Sequence, residues 1–203
     1  MFKTTGQYLS DRIREETDLE DSEFITDEGM LRLINEVRRQ VRGKIISHIA
    51  DEGMLLEDTV LTVVDDKADL PEDFHTIFNI VGDKIFKPVS LSSIYEGTYP
   101  QDGYPYAIKK SQIVFPSNSN ISCVTLLYYP IPPAIEALED EIEFVHGEDQ
   151  WIVYQCTAEV LRREETPNNE VLEKLKQIER EVTMQVGNVY KGSQRVVKKR
   201  RRY

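Results

Sequence analysis

Three histidines, His48, His75 and His146, are the side chains best suited to acid–base work near neutral pH, and they stand far apart along the chain. None falls in an HExxH spacing or beside a second ligand, so no metal centre is expected. Carboxylates are plentiful, but Asp65-Asp66 and Glu139-Asp140-Glu141 sit in polar turns. Solvated carboxylates keep near-normal pKa values, so no acid–base pair is expected there. Ser90, Ser92 and Ser93 cluster without a nearby base and fit helix capping better than nucleophilic catalysis. Phosphate loops of the GxxxxGK[ST] and GxGxxG kinds and a GxSxG elbow are missing. Cys123 and Cys156 fall at apolar positions of a predicted strand and a predicted helix, where each packs as a small hydrophobe. These residues predict no catalytic, cofactor-binding or metal-binding set, and no enzyme.

Residues suited to contact are easier to find. Tyr95, Tyr99, Tyr104, Tyr106, Tyr128 and Tyr129 lie within or beside one β-rich stretch. They form either a core and edge aromatic cluster or a protein interface, where tyrosine offers a rigid surface and one hydroxyl. Stacking on single-stranded nucleic acid would need a basic groove, and only Lys109 and Lys110 are close. From Lys191 onward there are seven bases (Lys191, Arg195, Lys198, Lys199, Arg200, Arg201 and Arg202) and no acid. Ahead of them stand all 36 acids and 18 of the 25 bases. An acidic body with a basic end points to partners more than to substrates. The body should repel nucleic acid, while the end suits phosphates, an acidic protein surface, or solubility alone.

The elements that position these groups follow from periodicity. Tyr104–Ile108, Gln112–Phe115 and Ile121–Tyr129 predict three strands. In the third, Cys123, Thr125, Leu127 and Tyr129 alternate with Val124, Leu126 and Tyr128, so cover on both faces is expected. Upstream, Val60–Val64, Ile77–Val81 and Ile85–Val89 predict strands, the last two joined by a Gly82-Asp83-Lys84 hairpin. Ser90 can cap a short helix over Leu91–Glu96. The N-terminal part predicts a helix from Thr4 or Thr5 to Glu16 with Tyr8, Leu9 and Ile13 inward. An acidic turn at Asp18–Ser22 follows, then a long helix capped by Thr26. Met30, Ile34, Val37, Val41, Ile45 and Ile49 line one face of that helix, and Gly53 ends it.

After Pro130, Pro132 and Pro133 comes an acidic link, Glu136–Glu143. A helix with Trp151, Tyr154, Ala158 and Leu161 on one face follows, and Thr166–Asn169 breaks it. The last helix carries Val171, Leu175, Ile178, Val182, Val186 and Val189. Residues 192–203 lack an amphipathic pattern and are expected to be unstructured alone. The predicted fold class is α+β, a helical bundle formed by N- and C-terminal helices with an inserted β-rich subdomain. Its boundaries are 1–59 and 134–190 for the helical core, 60–133 for the insertion and 191–203 for the basic tail. No apolar run is long enough to span a membrane, and the first residues lack the apolar stretch of a secretion signal, so synthesis in the cytoplasm is expected.

Several segments, in this order, resemble the head-to-tail adaptor (connector) proteins of tailed bacteriophages, in the form found in short-tailed phages. They are the N-terminal helix with its acidic turn, then Met30-Leu31-Arg32-Leu33-Ile34-Asn35-Glu36-Val37, then Leu70-Pro71-Glu72-Asp73-Phe74 before a strand. Tyr104-Pro105-Tyr106-Ala107-Ile108, Ile113-Val114-Phe115-Pro116 and Leu126-Leu127-Tyr128-Tyr129-Pro130-Ile131-Pro132 follow, with the acidic link into the Trp151–Arg163 helix last. The resemblance runs from roughly Thr4 to Val186 and stops short of the basic tail.

It implies a structural virion protein in the neck that forms a ring, typically twelvefold, under the portal protein after packaging. The ring extends the channel for genomic DNA and gives tail or nozzle proteins their platform. It also implies subunit or tail contacts, for which Tyr95, Tyr99, Tyr104, Tyr106, Arg38, Arg39 and Arg42 are the candidates. Arg195, Lys198, Lys199, Arg200, Arg201 and Arg202 are the candidates for portal or phosphate contact. The alternative is a nucleic-acid-associated binding module that uses the same basic tail.

Overall fold

The computed structural model describes residues 2–18, 25–49, 55–99, 102–117, 119–145, 147–166 and 168–199, with side chains placed as far as residue 185. In chain order the elements are β1 (Phe2–Thr5), α1 (Gly6–Glu16), α2 (Asp27–Ile49), β2 (Glu57–Thr62), β3 (Lys67–Asp69), β4 (Phe74–Val81) and β5 (Phe86–Pro88). Then come α3 (Leu91–Glu96), β6 (Tyr104–Lys109), β7 (Gln112–Val114), β8 (Cys123–Pro130), β9 (Glu141–Phe144), α4 (Glu148–Arg163) and α5 (Asn169–Lys199). The class is α+β, with five helices among the described residues. Two compact units divide the chain: Met1–Glu52 with Pro132–Tyr203, and Gly53–Ile131.

The first unit is built on helix stripes. In α2 the residues Met30, Leu33, Ile34, Val37, Val41, Ile45 and Ile46 are buried, three and four apart as one helix face requires. Thr26 caps it by accepting the Gly29 amide at 3.2 Å, and Asp27 and Glu28 favour its dipole in the first turn. Thr5 caps α1 by accepting the Tyr8 amide at 3.3 Å. Leu9 and Ile13 are buried there as expected, but Tyr8 is exposed and Ser10 takes the inward place. In α4 the fully buried line is Trp151, Ile152, Cys156, Thr157 and Val160, so the stripe is rotated from its expected centre and Tyr154 and Ala158 lie at its border.

Asn168 caps α5 through the Glu170 amide at 2.9 Å, and Val171 and Val182 are buried on it. Val186 and Val189 lie outside the described side chains, as do His146, the 19–24 part of the acidic turn and Gly53 outside the described residues. The sequence ends regular structure near Lys191, whereas the α5 backbone continues to Lys199. No proline interrupts residues 170–199, and lysine, arginine and glutamine are good helix formers.

A short antiparallel pair, β1 with β9, closes this unit, in register from Phe2↔Phe144 to Thr5↔Glu141. Its second strand corrects the acidic link: Glu141 and Glu143 point out beside Lys3, each 3.4 Å from its Nζ, while Ile142 and Phe144 are buried. The alternation of acid and hydrophobe is itself a strand pattern.

The second unit packs two sheets face to face. One has the order β2-β8-β4, the other β3-β7-β6-β5. The three strands expected between Tyr104 and Pro130 thus form but divide between the sheets. Leu61, Ile80, Val124, Leu126 and Tyr128 from the first meet Ala68, Tyr106, Ile113 and Phe115 from the second in one core. Ser90 caps α3 by accepting the Ser93 amide at 3.1 Å, and Gly97 ends it with φ 67. This helix covers the other side of β6 and β7 through Ile94, Ala107 and Val114.

One expectation is overturned here and another holds only in part. No hairpin joins β4 to β5; β5 runs parallel to β6 instead. The favoured two-residue hairpin turns need positive φ at the first turn position, and Gly82 does not adopt it. Cover on both faces of β8 is met only near its end, where Tyr129 on the outer face is buried against Phe78; nearer its start that face is open. Val60, Thr125 and Val81 are paired across three strands on the outer face, with Val60 67% and Val81 45% exposed. Cys123, on that face, is exposed rather than packed, whereas Cys156 is buried and its thiol pKa is pushed up by that burial.

Candidate functional site

The polar residues of α2 are used inside the first unit. Asn35, Arg38 and Arg42 recur at helical spacing and hold the segment that returns from Pro133 to Glu148. Asn35 donates Nδ2 to the Ile135 carbonyl and accepts the Ile135 amide on Oδ1, both at 2.9 Å. Arg38 is buried and donates to the Pro133 carbonyl at 3.1 Å. Burial pulls its guanidinium pKa below the ordinary value, with the Glu148 charge opposing and Arg42 adding to the fall.

Arg42 makes a two-pronged pair with Glu148, Nε to Oε1 at 2.7 Å and Nη2 to Oε2 at 2.9 Å, and also donates to the Glu143 carbonyl at 3.3 Å. The side chains are 12% and 2% exposed, so this is an interior pair. Glu148 also accepts the Val145 amide at 2.9 Å, just before α4. Gly147 makes this entry possible: its φ is 80, and a Cβ there would stand 2.8 Å from Val182 Cγ2. Of the three arginines expected at a subunit or tail interface, Arg38 and Arg42 are therefore structural, and Arg39 is exposed.

The tyrosines separate in the same way. Tyr106 lies in the core of the second unit, and burial pushes its hydroxyl pKa up. Tyr99 and Tyr104 are half-buried, Tyr104 beneath Lys84, whose Nζ is 3.8 Å from the ring centre. Tyr95 on α3 is 62% exposed and accepts a hydrogen bond from Lys109 Nζ at 3.1 Å. Tyr128 is buried with its hydroxyl donating to Asp73 at 3.0 Å, beside Glu57 at 3.5 Å. Burial first, and those carboxylates next, push its pKa up to about 12.

Lys87 pairs with Asp102, whose carboxyl is held below its ordinary value by that lysine. Arg195, Lys198 and Lys199 lie on the helical backbone of α5 beyond the described side chains, and Arg200, Arg201 and Arg202 lie outside the described residues. Sequence inspection misses the exposed pair Val60 and Val81. The signal available was alternation, since Val60 and Leu61 cannot both face the core.

Among the described residues, no three His, Cys, Asp or Glu side chains converge as metal ligands would. No described helix is long and apolar enough to cross a membrane. The geometry is that of a helical unit braced by buried polar pairs and of a two-sheet unit with Val60, Val81 and Tyr95 exposed. The family model of the SU10 adaptor protein matches residues 4–187. The chain belongs to that family and is a head-to-tail adaptor of tailed bacteriophages. No curated protein matches it.

Proposed function

We propose that this adaptor is of the short-tailed phage type, acts without catalysis, and assembles as a ring of twelve copies beneath the portal. The ring lengthens the DNA channel and offers tail or nozzle proteins their attachment platform. The observation that carries this reading is the family match over almost the whole body of the chain. Two physical features support it. The excess of acid over base in the body gives a channel wall that does not hold DNA during ejection. The basic tail repels itself until an acidic surface or phosphate neutralises it, which ties its docking to the portal.

Sedimentation of the protein alone, with its portal, and with duplex DNA tests this at low and moderate salt. Alone at low micromolar concentration the protein should sediment as a monomer or small oligomer, and with portal as a large complex. Removing Gln194–Tyr203 should weaken portal attachment and leave the fold intact. A stable large ring without portal would contradict the templated assembly. If the truncation instead abolishes DNA binding and spares the portal, the tail belongs to a nucleic-acid-binding module.

A further inference from the structure

We draw no further inference here: the strongest candidate, the open outer face of the β2-β8-β4 sheet around Val60 and Val81, carries nothing because nothing in the structure shows what covers it.

Discussion

The two units of this adaptor dispose of their polar groups in opposite ways. In the first, charged and amide side chains of α2 turn inward and bind backbone from a distant part of the chain: Arg42 reaches Glu148, 106 residues away. In the second, two sheets share an apolar and aromatic core, and the lysines stand outside it. An ion pair placed inside fixes one arrangement of the elements it joins at a desolvation cost, while surface lysine and tyrosine remain available to partners. Residue type alone does not separate these roles. Arginines on a long helix looked like an interface, and two of the three brace the fold.

The largest expected effect tests the inward half of this contrast. Glu148→Ala leaves Arg42 without its carboxylate in a nearly closed site and should cost about 3–5 kcal/mol, the range for breaking a buried pair. Chemical denaturation would measure it, and a loss below about 1 kcal/mol, the worth of a surface pair, would show that the pair is solvated.

A second effect concerns the hydroxyl buried in the second unit. Tyrosine ionises near 10 when unfolded, and Tyr128 holds its proton to about 12 in the fold. The unfolded chain therefore releases a proton that the folded chain keeps between those values. This contribution is complete below pH 10 and is lost as pH rises towards 12, by up to about 3 kcal/mol. The parent should lose that stability across this window and Tyr128→Phe should not; parallel curves for the two would remove Tyr128 from the account.

The smallest effect sharpens the outward half. Val60→Ser should change stability by no more than about 0.5 kcal/mol, as for an ordinary surface position. A loss above about 2 kcal/mol, typical of a buried aliphatic, would place Val60 in a core.

Periodicity made much of this legible in advance. The α2 stripe, the caps Thr26 and Ser90, and the strands around Tyr104–Pro130 follow from local pattern and hydrogen-bonding chemistry. Local pattern does not say which side of a strand receives a covering layer, which is why Cys123 was expected inside and is exposed. Nor does it show that Glu141-Ile142-Glu143-Phe144 has a partner strand at the far end of the chain. The burial of Arg38 depends on backbone carbonyls 95 residues away, and no window of sequence contains that distance. The candidate interface residues were legible only as a class, tyrosine and arginine, and which of them are exposed, Tyr95 and Arg39 but not Tyr106, Arg38 or Arg42, required the fold.

Electron microscopy of the protein mixed with its own portal tests the central claim most directly. The account predicts a closed ring of added density coaxial with the portal, seated on its outer end and continuing the central channel. Portal particles without added density, or with single copies bound off the axis, would contradict it.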